Sequence, residues 1–401
     1  MLRSLFSGIT GLRQHQTLMD VVGNNIANVN TVGYKSSNTV FEDTLSQMVR
    51  AAGAPSNGLG GVNPLQVGLG VQLGSISTNF AQGSAQNTGR ATDLMIQGDG
   101  FFVLQNGNSE VYSRAGSFTF DSSGMLVNAE GMRVQGWAAT AGGVVDTNVA
   151  VGDIVLPAST LIKPQPSTTV GLSGNIQIDP LNADVLTLGA TVYDLQGLAH
   201  PLTITLTNDG TGGYAVDIVD AVGGETATQG AVTFDNTGAI TVGTVPTVAL
   251  ADGTTVTIDL SRGVTKYGGP KSLQVASADG YAAGSLQGFQ ISGDGSVTGV
   301  FSNGQKLLMA KVALAGFNNP MGLEKAGNST YKSTTNSGNP QINTAGAGGV
   351  GTLLGGAVEM SNVDLAQEFT NLIIAQRGFQ ANSRVITTSD QMLQDLVDIK
   401  R

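Results

Sequence analysis

The chain has 401 residues, more than one ordinary core holds, and its 57 glycines and 12% charged residues call for several turn-rich, weakly charged domains. A net charge of −10, with 19 scattered basic residues, argues against a nucleic-acid partner, because phosphate binding needs clustered Lys and Arg. There is no cysteine, which rules out disulfides, a thiol nucleophile and Cys-ligated zinc, and suits work outside the cell.

In chain order, the first predicted element is a helix from residue 2 to about 28. Leu5, Leu12, Met19 and Ile26 fall seven apart, with Leu2, Ile9 and Val22 on flanking turns of the same side. Arg3 ahead of Leu5 and Phe6 looks briefly like a signal peptide, but Arg13, Gln14 and His15 interrupt the apolar run, so no cleaved leader is expected. Nor does any stretch approach the roughly 18 apolar residues of a membrane span. The helix closes in Asn-rich, turn-forming sequence from Asn24 to Gly33.

Residues 42–90, rich in Gly, Asn and Gln with Pro55 and Pro64, read as an extended connector. Short strand-like runs follow, among them Asp93 to Ile96, Phe101 to Leu104 and Ser117 to Phe120. Asp99-Gly100, Asp121 to Gly124, Asp209-Gly210, Asp235 to Gly238, Asp252-Gly253 and Asp294-Gly295 are hairpin signals, and imply β domains with short antiparallel strands. Trp137, the single Trp, is expected in the core of such a domain.

The far end mirrors the start. Leu365, Leu372, Phe379, Ile386 and Leu393 form an unbroken seven-residue row, which Phe369 and Val397 extend, while Gln376, Ser383 and Asp390 leave its second column polar. Ser361, with Asp364 three residues on, gives a start like a capping box. About 36 helical residues would reach roughly 54 Å, and a seven-residue repeat favours a left-handed supercoil with a partner. The expected fold class is therefore α+β: long N- and C-terminal helices form a coiled-coil-like inner domain, with two mainly antiparallel β domains between them. Leu5, Leu12, Met19, Ile26, Leu365, Phe369, Leu372, Phe379, Ile386 and Leu393 are the candidate subunit-assembly residues.

Chemistry is sparse. His15 and His200 are the two histidines, too few for a histidine-rich metal site. Gly346-Ala-Gly-Gly-Val-Gly351 fits the G-x-G-x-x-G of a dinucleotide loop, but no βαβ unit surrounds it and no helix starts at its end, so a Gly-rich bend is expected. None of the Asp-Gly pairs sits in a calcium-loop frame. No catalytic, cofactor-binding or metal residue is assigned, and no enzyme is expected.

Asn24-Asn-Ile-Ala-Asn-Val-Asn-Thr-Val-Gly-Tyr-Lys35 resembles the signature that closes the N-terminal helix of flagellar rod and hook axial proteins. Asp93 to Phe102, Tyr112 to Asp121 and Gly131 to Trp137 resemble the family's first β-domain motifs, and Gly356 to Leu365 with Ala375 to Arg384 its C-terminal helix. The long insertion between Trp137 and Tyr281, with Tyr193 to Gly197 and Pro201 to Leu206, is similar to the hook-type members; rod-type members are expected to be shorter.

The resemblance implies a helical inner domain (1–30 and 360–401), extended connectors (31–90 and 351–359), an inner β domain (91–145 and 283–350) and an inserted outer β domain (146–282). It also implies a subunit that polymerises with itself into a hollow, flexible hook tube, transmitting motor torque to the filament and enclosing the export channel. A hook cap protein, a distal rod protein, a hook–filament junction protein and the flagellar export apparatus are the implied partners, and the implied place is the extracellular flagellum. The alternatives are a distal-rod-type axial protein or a secreted β-rich adhesin.

Overall fold

A computed structural model describes every residue except 1, 56–59, 141, 157–160, 178–184, 211, 223–229, 236, 243–244, 251, 262 and 400–401. Parts of the expected connector and insertion therefore lie outside the described residues. The chain is mainly β, with 45% strand and 17% helix. Its α-helices are α1 (Leu2–Ala27) and α2 (Leu365–Asp398), one at each end. This corrects the α+β expectation: among the described residues no long coiled-coil inner domain is seen, and of the apolar rows Ile386 is brought against α1 while the rest run beside the stripe where the helices meet.

α2 is capped by Asp364, whose Oδ1 accepts from the backbone N–H groups of Ala366 (2.9 Å) and Gln367 (3.3 Å). Ser361 takes no part in that cap; its Oγ accepts from the N–H of Val363 instead. The chain divides into two compact units, one made of residues 1–157, 290–298 and 308–401, the other of 158–289 and 299–307.

In the first unit, Phe101–Asn106 pairs with Ser109–Ser113, with Arg133–Ala138 and with the end of Lys306–Gly316, all antiparallel. Thr330–Lys332 extends the sheet beyond Ser109–Ser113. Phe101, Val103, Tyr112, Trp137 and Tyr331 form a core on one face, and the Trp137 indole N–H donates to the carbonyl of Val149 at 3.0 Å. An antiparallel ribbon, Ser37–Asp43 with Val71–Thr78 and Ser46–Arg50 with Leu65–Gly68, follows α1. Two short ladders then draw the ends of the chain together: Ala85–Asn87 with Ala357–Glu359, and Leu94–Gln97 with Thr352–Gly355.

The second unit is a β-sandwich. Val185–Tyr193, Ala199–Asn208, Tyr214–Asp220, Gly230–Phe234 and Ile240–Val242 run as an antiparallel meander in chain order. The other sheet centres on Thr169–Asn175, which pairs in parallel with Thr255–Asp259 and Val264–Thr265. The alternation of Ala199–Asn208 is regular, with His200, Leu202, Ile204 and Leu206 buried, and its core joins Val170, Val216, Val256 and Ile258 from both sheets.

Most hairpin signals close hairpins. Asp121, Asp235, Asp252 and Asp294 accept backbone N–H groups two residues ahead, which fixes the turn. Asp99-Gly100 does not: Leu94–Gln97 and Phe101–Asn106 pair with other strands. Gly346 to Gly351 is a turn between Gln341–Thr344 and Thr352–Gly355, with no helix after it.

Candidate assembly surface

α1 and α2 lie antiparallel. Ser4 Oγ is 3.4 Å from Ser389 Oγ, and Asn25 Nδ2 donates to Glu368 Oε1 at 3.0 Å. Between those ends, a Cβ on Gly11 would lie 2.8 Å from the Asn382 side-chain amide, and one on Gly378 would overlap the His15 ring. The seam therefore follows Ser4, Gly11 and Asn25 on α1 and Glu368, Ala375, Asn382 and Ser389 on α2, with Leu18 at the spacing that completes the first row. Each row repeats every seven residues, yet its members are mostly small or polar. Close backbone approach at glycine and hydrogen bonding replace the apolar knobs that a coiled-coil seam requires.

The sequence-predicted rows run beside that seam. Ile386 is brought against α1, where its Cγ1 would lie 3.3 Å from a Cβ on Gly8. Leu5, Leu12, Met19, Ile26, Leu372 and Leu393 are half-buried. Leu365, Phe369 and Phe379 are exposed at 40%, 50% and 37%, and Ile373, Ile374, Val385, Met392 and Leu396 add to the open apolar face of α2. None of the ten candidate residues is fully buried, so α2 keeps most of its apolar surface in solvent.

A junction that sequence reasoning missed holds the helix ends to the first unit's sheet. Lys35 and Glu359 are 0% exposed and Arg114 2% exposed. Lys35 Nζ donates to Glu359 Oε1 (2.7 Å) and to the carbonyl of Ala81 (2.8 Å), and the N–H of Gly83 donates to the same Oε1 (2.8 Å). Arg114 Nη1 stands 3.6 Å from Glu359 Oε2 and donates to the carbonyl of Gly98 at 2.9 Å. Burial pulls the Lys35 ammonium below the usual lysine range against the opposing pull of Glu359, and it lowers the Arg114 guanidinium in the same way.

Around this cluster, Gly33 N–H donates to the Glu359 carbonyl (2.8 Å), Ser36 N–H to Asn362 Oδ1 (2.8 Å) and Asn362 Nδ2 to the Asn79 carbonyl (2.8 Å). Asn25 clasps Ser37 through both side-chain atoms, and the Tyr34 hydroxyl donates to Asn24 Oδ1 at 2.7 Å. Gly33 adopts φ +68°, and a Cβ there would strike the backbone at Arg114 and Ala115, which explains a glycine at this point. The motif residues Asn24 to Lys35 and Gly356 to Leu365 thus meet each other. Lys35 and Glu359 are 324 positions apart, and no local pattern marks them as partners.

Among the described residues there is no group of three or more potential metal ligands, and no helix is long and apolar enough to cross a membrane.

Four family models match in chain order: "Flagella basal body rod protein" at 5–35, "Flagellar hook protein FlgE/F/G D1 domain" at 95–180, "Flagellar basal body protein FlaE D2 domain" at 175–281, and "Flagellar basal body rod FlgEFG protein C-terminal" at 354–399. The flagellar hook protein FlgE of Treponema pallidum is 41% identical and that of Borreliella burgdorferi 37%, each comparison covering 100% of both chains. The flagellar basal-body rod protein FlgG of Bacillus subtilis is 31% identical, also over 100% of both, so length alone does not separate hook-type from rod-type members. The crystal structure of Helicobacter pylori flagellar hook protein FlgE2 matches with a TM-score of 0.53 at 16% identity, covering 67% of this chain and 98% of that one, which shows a shared fold. With matched segments from the first helix to the last and hook proteins among its full-length relatives, the chain belongs to the flagellar hook protein family, whose members are structural subunits of the flagellum.

Proposed function

We propose that this hook subunit polymerises with copies of itself into a hollow, flexible tube that carries motor torque to the filament and encloses an export channel. The apolar rows of α1 and α2 are its assembly seam: Leu5, Leu12, Met19 and Ile26 with Leu365, Phe369, Leu372, Phe379, Ile386 and Leu393. The carrying observation is the open apolar face of α2, on which Phe369 remains 50% exposed while the intramolecular seam is built from small and polar residues. Neighbouring helices in a polymer would bury that face, and head-to-tail contacts that do not close on themselves generate a helical filament.

The same reading makes a cap protein at the growing end, a distal rod protein below, a junction protein above and the flagellar export apparatus the partners of this chain. Full-length relatives named as hook proteins support this over an adhesin.

Leu372→Asp and Phe379→Asp test it. A buried uncompensated charge costs several kcal/mol, so both variants should fail to form tubes under electron microscopy. The monomer's β strands should melt as in the unchanged chain. Normal tubes from both variants would remove the rows from the assembly seam.

A further inference from the structure

Three charged side chains from three distant segments share one buried point in the first unit. Lys35 follows α1, Glu359 precedes α2, and Arg114 follows the strand Ser109–Ser113 of the central sheet. From this geometry we infer that Lys35, Glu359 and Arg114 form an ionic latch that fixes both terminal helices to the β sheet, with Glu359 as the member on which the other two depend.

Burying an ion pair gains little over a well-packed apolar pair, whereas removing one partner leaves an uncompensated charge at large cost. Here the Glu359 carboxylate faces both cations at no more than 2% exposure, and Asp99 adds a second negative charge towards Arg114. Loss of the Glu359 charge would therefore strand Lys35 and leave Arg114 with Asp99 as its counter-charge.

What would give way follows from the other contacts of each cation. Arg114 is anchored to the sheet without Glu359, since it donates to the Gly98 carbonyl and its guanidinium carbon lies 5.2 Å from the centre of the Phe101 ring. Lys35 keeps one carbonyl, that of Ala81. The strand Ala357–Glu359 is short, and besides its ladder with Ala85–Asn87 it is held by isolated backbone hydrogen bonds, Gly33 N–H to the Glu359 carbonyl and Met360 N–H to the Ser84 carbonyl. The weak side of the cluster is thus the side that carries α1 and α2, and failure should release the termini while the sheet stays folded.

The latch also has slack. Glu359 Oε2 and Arg114 Nε are both buried without a hydrogen-bond partner, and the closest approach between the two side chains is 3.6 Å. A small movement would bring guanidinium and carboxylate into the two-point fork that this pair prefers. The inference itself does not rest on the assembly reading, because it is tested in the monomer.

The test is Glu359→Gln in the full-length chain, followed by amide hydrogen exchange. Exchange in residues 25–37 and 357–372 should accelerate on the order of a hundredfold, as expected for a broken buried pair. Exchange in Phe101–Asn106 and in the sheet end of Lys306–Gly316, and the fluorescence of Trp137, should be unchanged. Lys35→Met, which leaves the Glu359 and Arg114 pair intact, should give the same pattern with a smaller factor and guards against a Glu359→Gln chain that does not fold. Unchanged exchange in the terminal segments would overturn the latch, and so would equal acceleration of the central strands in Lys35→Met, since the cluster would then be part of the sheet's own core.

Discussion

The helix pair of the first unit and the sandwich of the second bury their apolar residues in opposite ways. Along Ala199–Asn208 every second side chain enters a shared core, where Ile204 and Leu206 reach 0% exposure. Along α2 the residues that are fully buried are Glu368, Ala375 and Ser389, while Phe369, Ile373 and Ile374 stay at least half exposed. The sandwich meets its hydrophobic demand within one chain. The helix pair does not, and its stability has to come from hydrogen bonds, close backbone contact and the ionic junction at its base.

Emptying the sandwich core gives the largest expected effect. Ile204→Ala removes a fully buried side chain from the second strand of the meander and should lower the stability of the second unit by about 2–5 kcal/mol. Amide exchange in Tyr214–Asp220 should report the loss, while α1 and α2 keep their protection. Accelerated exchange in the helices as well would mean that the sandwich is not self-sufficient.

Crowding the helix seam comes next. Gly378→Val places its Cβ on the His15 ring and should cost about 1–3 kcal/mol, read as faster exchange along both helices. Gly23 lies on the exposed side of α1, where an added Cβ would meet nothing within 4 Å, so Gly23→Ala should stabilise the helix by about 1 kcal/mol. A seam that tolerates valine at 378 would contradict the close approach of the two helices.

Much of this architecture was legible in the sequence, and the seam was not, for a definite reason. The seven-residue period located both helices, and Asp-Gly turns located most hairpins, because each depends on neighbours a few positions apart. The apolar rows Leu5 to Ile26 and Leu365 to Leu393, expected as an assembly surface, say nothing of where the two helices of one chain meet. The stripe one position earlier on α1, Ser4, Gly11, Leu18 and Asn25, repeats just as regularly and faces α2. Small residues in a seven-residue row were the available signal. The Lys35–Glu359 pair had none, since the fold joins positions at opposite ends of the chain.

The smallest expected effect concerns a charged cluster inside the sandwich. His200 is 2% exposed, with Nδ1 2.7 Å from Asp220 Oδ2 and Nε2 3.5 Å from Asp194 Oδ2. Each carboxylate also holds a turn: Asp194 accepts from the N–H groups of Gln196 and Leu198, and Asp220 from that of Val222. Burial alone disfavours the imidazolium, but the hydrogen bond to Asp220 and the charges of Asp220 and Asp194 together outweigh it and raise the pKa above the ordinary histidine value. A raised folded-state pKa stabilises fully below the unfolded value of about 6.5, and that contribution is lost as pH rises through the folded pKa. Amide exchange in Ala199–Asn208, corrected for its intrinsic pH dependence, should therefore show the second unit weakening from pH 6 towards pH 9. His200→Gln should be less stable at pH 6 and nearly flat over the same window. A parallel decline in both proteins would mean that His200 is neutral in the folded chain and that another group sets the dependence.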